Sequence, residues 1–161
     1  MVQEASNSIN AALPALCTGQ PTQGDAYMIV ARDLLRGIEA LSTLPNVSPR
    51  GCALIAAHAL ECAIKAFLWR KGKKKEIRRR DVQHDLVALW NMTYKEGGLG
   101  IPEVPPDWVT ILSSGHGPNF YFRYQEGEGK TVVQGGQTPA LIPMAVELKK
   151  LIEMVELATK G

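Results

Sequence analysis

Little in this chain supports extracellular or metal-staple chemistry. It has three cysteines in 161 residues, Cys17, Cys52 and Cys62. The number is odd and no two form a Cys-x-x-Cys pair, so neither a disulfide framework nor a zinc knuckle is expected. Cys52 and Cys62 stand among alanines and aliphatics, the surroundings of buried free thiols. Aromatic residues make up only 6%. No uninterrupted apolar run reaches the roughly 18–20 residues that span a bilayer. The N-terminus has no basic region ahead of its short apolar stretch, and Glu4 comes early, which argues against a signal peptide. There is no internal repeat and no low-complexity tail. The expectation is one cytoplasmic globular domain.

Charge is nearly balanced, at +2, but unevenly distributed. Residues 70–80, RKGKKKEIRRR, hold eight basic residues and one glutamate. The remaining ten basic and fifteen acidic residues leave the rest of the chain at −5. Such a patch suits a polyanion, and it also solubilises a turn. No aromatic lies between Lys71 and Asp81 to stack on bases, so contact there would be with phosphates and would carry no sequence specificity.

Helical periodicity dominates what is present. Residues 1–23 read as a loosely structured lead-in and 24–161 as the folded domain. Asp25 is the expected cap of a first helix with Tyr27, Val30, Ala31, Leu34, Ile38 and Leu41 on one face, ending near Ser42–Leu44. A second runs from Ser48–Pro49 to Arg70 or Lys71 and stops at Gly72; its near-continuous apolar surface predicts a central, buried helix. Asp81 is the expected cap of a third, with Leu86, Leu89 and Trp90 inward. DWVTILSS predicts a short fourth helix. NFYFRYQEGEGKTVVQ, with aromatic and β-branched residues around a Glu-Gly-Glu-Gly turn, predicts a β-hairpin. A last helix from between Thr138 and Pro143 to about Thr159 presents Leu141, Ala145, Leu148, Leu151, Ile152 and Val155. Short connections between the first three helices favour antiparallel neighbours. The fold class is therefore all-α, a four- to five-helix up-and-down bundle with a small β-hairpin insertion before the last helix.

The second helix carries the polar residues of interest. Leu54, His58, Glu61, Lys65 and Leu68 share one stripe at about 100° per residue, and Glu61 to Lys65 is the favourable ion-pair orientation. The stripe reads either as a partly exposed seam with one salt bridge or as a face turned toward a ligand or a second subunit, since buried charges are costly unless paired or used. His84-Asp85-Leu86 opens the third helix. Antiparallel packing would return it near Lys65–Arg70, where His84 reads either as a packed capping residue or as a phosphate contact or general acid/base. His58 and Glu61, with His84 and Asp85 from the next helix, form a conceivable metal set. The inward carboxylates are too few for a di-metal centre, so no metal or other cofactor is expected. Gly127–Thr131 fails as a phosphate loop, because Tyr124 stands where its first glycine belongs. Gly115-His116-Gly117-Pro118 reads as a plain turn.

HALECAIKAFLWRKG, a basic turn and then HDLVALW resemble the HEPN superfamily of helical-bundle proteins. The matching positions are His58, Glu61, Lys65, Ala66, Leu68, Gly72, His84, Asp85 and Leu86, with Arg123-Tyr124 as the Arg-Tyr pair common before the last helix. The resemblance spans roughly residues 25–160, but its specific part is only about 35 residues. It implies a bundle that is frequently a homodimer. It also implies a function between metal-independent RNA cleavage and RNA or nucleotide binding, often beside a nucleotidyltransferase partner in toxin–antitoxin or defence systems. The ribonuclease branch carries Arg-x4–6-His at the start of its last helix, whereas GGQTPALIPMAVELKK has neither residue. Arg78 and Arg79 precede His84 at that spacing, on a different helix. The expectation is thus a module binding RNA or nucleotide phosphate without strong catalysis. Lys65, Arg79, Arg80, His84 and Arg123 would supply charge or hydrogen bonds, Glu61 would hold Lys65 or His84, and His58, Asp85 and Tyr124 complete the ligand-facing set. The alternatives are a metal-independent ribonuclease, with His84 as acid/base and Arg79 or Arg123 stabilising the phosphorane, and a structural homodimer using the polar seam.

Overall fold

The computed structural model describes residues 22–117 and 138–160. The described residues form five α-helices: α1 (Gln23–Leu41), α2 (Pro49–Arg70), α3 (Leu86–Glu96), α4 (Asp107–His116) and α5 (Leu141–Thr159), with a single 3-10 turn at Glu76–Arg78. The described region is all-helical, as expected. The expected hairpin, Arg123 and Tyr124 fall outside the described residues, as does the lead-in before Thr22.

α2 is the axis of the molecule. It packs against α1 and α5 on one side and against α3 and α4 on the other. Its most apolar window has a mean hydropathy of 1.6, so by length and composition the helix could cross a membrane. A search for an unbroken apolar run misses this, whereas the window tolerates Glu61 and Lys65. In the fold, 78% of that window is buried inside the bundle. Alanines at 53, 56, 57, 59, 63 and 66 are almost fully covered, and the small side chains let neighbouring helices approach. Leu60, Ile64, Phe67 and Leu68 then fill the core against Leu86, Leu89, Leu112, Leu148 and Ile152.

Local chemistry sets where the helices begin and end. Ser48 caps α2 by accepting from Gly51 N–H at 3.2 Å, and Pro49 takes the first helical position. At the other end Gly72 has φ +81°, Gly72 N–H bonds Trp69 O at 3.0 Å and Lys73 N–H bonds Leu68 O at 2.9 Å. This Schellman closure turns the chain sharply into the basic run. Ile77, fully buried, pins that run to the bundle.

Two expected caps are displaced. Thr22, not Asp25, caps α1: Asp25 N–H bonds the threonine hydroxyl at 3.2 Å, while the Asp25 carboxylate accepts from Thr22 N–H at 2.9 Å. Asp25 is thus the far half of a capping box. Likewise Asp85, not Asp81, caps α3, accepting from Ala88 N–H at 3.0 Å. Asp81 is held by Arg79 at 2.5 Å, and residues 79–85 form successive turns. The core face of α1 is also rotated from expectation. Met28, Ala31, Leu35 and Ile38 are buried while Val30 is exposed, because α1 must meet both α2 and α5.

Candidate functional site: a shared carboxylate

Glu61 and Lys65 are each only 5% exposed, so the polar stripe of α2 is enclosed rather than a half-open seam. Glu61 uses both oxygens. Oε1 accepts from Lys65 Nζ at 2.6 Å. Oε2 meets His84 Nδ1 at 3.0 Å and His116 Nε2 at 2.6 Å. Three side chains, from α2, the turn before α3 and the end of α4, thus converge on one carboxylate. The two imidazoles meet edge to face, with centroids 6.0 Å apart. Lys65 Nζ also lies 5.9 Å from the centre of the Tyr27 ring on α1.

Burial alone would raise the Glu61 pKa. The hydrogen bond from His116, the charge and hydrogen bond of Lys65, and the hydrogen bond from His84 outweigh it, and the group is lowered to about 2. An ionised carboxylate has no proton to give, so both imidazoles donate to it. Nδ1 of His116 is then left buried with no hydrogen-bond partner among the described residues.

The mounting of the two histidines is built from the α3 cap. Asp85 Oδ1 accepts from Ser113 Oγ at 3.3 Å as well as from Ala88 N–H, and Ser113 Oγ in turn accepts from Val87 N–H at 3.3 Å. Ser113 lies one turn before His116 on α4. The same contacts therefore fix His84 and His116 relative to each other. The two differ in access: the His84 side chain is 31% exposed and that of His116 is not exposed at all.

The cluster contains Glu61, Lys65 and His84, as the sequence suggested, with Asp85 as cap and organiser. His58 sits one turn earlier on α2, half-buried. It is not part of the one potential metal-ligand group found among the described residues, Glu61, His84 and His116. His116 replaces the His58 and Asp85 of the conceivable metal set, and it is the residue sequence reading missed. Its spacing from Val109 and Leu112 puts it on the buried stripe of α4, a signal obscured by a helix drawn to end at Ser114.

The basic run is partly committed to the protein. Lys73 pairs with Glu96 at 2.8 Å and Arg70 with Asp25 at 2.9 Å. Lys71 lies over Phe67 at 5.3 Å, and Lys74 and Arg78 lie over Trp69 at 4.9 and 5.3 Å. Phe67 is buried in the core, so the part-exposed aromatic beside the run is Trp69, at the end of α2. Arg79, paired with Asp81, and Arg80 are exposed and lead through tight turns into His84. Cys62, beside Glu61 in sequence, is not a nucleophile: burial first, then the Glu61 charge, push its thiol up to about 12. A separate cleft of about 370 Å³ at the ends of α1, α2 and α5 is lined by Asp25, Arg32, Arg70 and Glu156, already joined as two ion pairs.

No family model, curated protein or solved structure matches this chain.

Proposed function

We propose that the chain is a HEPN-like module that binds the phosphates of RNA or of a nucleotide at the basic turn and His84. One observation carries the reading. His84 is held by a buried carboxylate at 3.0 Å yet keeps a solvent-facing edge, and consecutive turns join it to exposed Arg79 and Arg80. An oriented imidazole a few residues after a run of exposed cations is suited to phosphate oxygens. Trp69 and its cations add a surface on which a base can stack. The test is affinity for a mixed-sequence RNA, with Arg79→Glu/Arg80→Glu and His84→Ala beside the wild type. The reading expects both variants to bind more weakly, and it fails if neither does. A nucleotidyltransferase-type partner and a homodimer, the associations implied by the resemblance, belong to the same proposal and are checked by co-purification and light scattering.

A second reading, metal-independent RNA cleavage, is favoured by the Glu61–His84 hydrogen bond, because a carboxylate that fixes an imidazole tautomer is a common way to prepare a general base. Cleavage of end-labelled RNA in EDTA by the wild type but not by His84→Ala would support it. Absence of cleavage would leave the binding module.

A further inference from the structure

The potential ligand atoms of Glu61, His84 and His116 all lie within 4.8 Å of one another. They come from three separate elements, two of which, the start of α3 and the end of α4, are tied together through Asp85 and Ser113. Two imidazoles and one carboxylate are the donor set of many catalytic zinc sites, which keep a further position open for water or substrate. We propose that these three side chains bind a divalent zinc-like cation, a property independent of the RNA reading.

The distances permit it. Zinc bonds of about 2.0–2.2 Å in tetrahedral array place neighbouring donors about 3.3–3.5 Å apart. Glu61 Oε2 stands 2.6 and 3.0 Å from the two ring nitrogens it now faces. Separating them by less than an ångström opens the required space. Glu61 Oε1 stays with Lys65, which fixes the carboxylate to one-oxygen ligation and serves as its outer partner. His116 is wholly buried, so the nitrogen that faces Glu61 is held in place away from bulk water.

Lys65 sets the chemistry of the open position. With a divalent ion, one carboxylate and one ammonium, the group carries a net charge of +2. It therefore favours an anionic further ligand, a hydroxide or a phosphate oxygen. His84 is the most exposed of the three ligands, so that ligand enters from the His84 side.

The experiment uses untagged full-length chain stripped with EDTA and then freed of it. Co²⁺ is titrated while its visible d–d bands are followed, and Zn²⁺ is titrated by calorimetry. The proposal expects one ion per chain with tetrahedral Co²⁺ bands. His84→Ala, at a part-exposed position that should tolerate the change, should lose the bands and weaken binding by at least the roughly 10–100-fold that outer-partner losses cost. Glu61→Gln should do the same, with circular dichroism confirming helicity in each variant. No saturable binding by the wild type, or unchanged bands in folded His84→Ala, would overturn it. RNA affinity measured in EDTA on the same preparations reads the phosphate proposal separately.

Discussion

Replacing Glu61 with glutamine should be among the most destabilising single-atom-scale changes available to this protein. The substitution keeps the volume and removes the charge to which Lys65, His84 and His116 are all fitted. Two arguments give the size. Breaking a buried ion pair by removing one partner typically costs about 3–5 kcal/mol, because the other charge is stranded away from water. Separately, lowering the Glu61 pKa from 4.5 to about 2 corresponds to about 3 kcal/mol of preferential stabilisation of the ionised form. The sign follows from the direction of the shift. The folded-state pKa is depressed, so the stabilisation is present above pH 4.5 and is lost as pH falls toward 2. Urea unfolding at neutral pH in EDTA should show a loss of about 3–5 kcal/mol at unchanged m-value. Repeated down to acid, the wild type should lose stability over that window, and Glu61→Gln should show a flatter profile there. A neutral-pH loss below about 1 kcal/mol, the scale of a surface ion pair, or identical acid profiles, would refute the claim that this carboxylate holds the cluster.

Two further outcomes follow from the packing around α2. A Cβ on Gly24 would lie 2.7 Å from Trp69 Cδ1, so Gly24→Val should cost about 1–3 kcal/mol through overpacking, read as a fall in Tm; an unchanged Tm would contradict the contact. Because Cys62 is buried with its thiol pushed up to about 12, iodoacetamide should leave it unmodified in the native protein and label it in urea, followed by peptide mass mapping. Labelling of native protein at the denatured rate would count against that placement.

Much of the bundle is legible in residue order, because its signals are local. Pro49 after Ser48 starts α2, Gly72 ends it, and the stripe Ala145, Leu148, Leu151, Ile152 and Val155 defines α5. The Glu61–Lys65 pair is visible as a helical spacing, and its proximity to His84 follows from antiparallel packing. What is not legible depends on competition between equivalent residues or on tertiary geometry. Asp81 and Asp85 are both good caps; in the fold Asp81 pairs with Arg79, while Asp85 accepts from Ala88 N–H and from Ser113 Oγ on α4. Val30 has the right period for a core position, but α1 is rotated to serve two neighbours, and Met28 and Leu35 are buried instead. His116 sits between two glycines, the mark of a turn, while two more helical residues in α4 carry it into the Glu61 cluster. The cation–aromatic contact at Trp69 is hidden because Trp69 precedes the basic run in sequence, and it is the run that folds back over it.

The measurement that bears most directly on the proposed function is the salt dependence of RNA binding. Fluorescence anisotropy of an end-labelled, mixed-sequence RNA, followed in EDTA from low to high salt, gives the slope of log affinity against log salt. Phosphate binding at the basic turn predicts a negative slope of about 0.7 per neutralised phosphate on single strands. Arg79→Glu/Arg80→Glu should make that slope shallower by about 0.7 for each phosphate that the two arginines neutralise in the wild type. A wild type whose affinity does not change with salt, or a double variant with the same affinity and slope as the wild type, would contradict phosphate recognition at this turn.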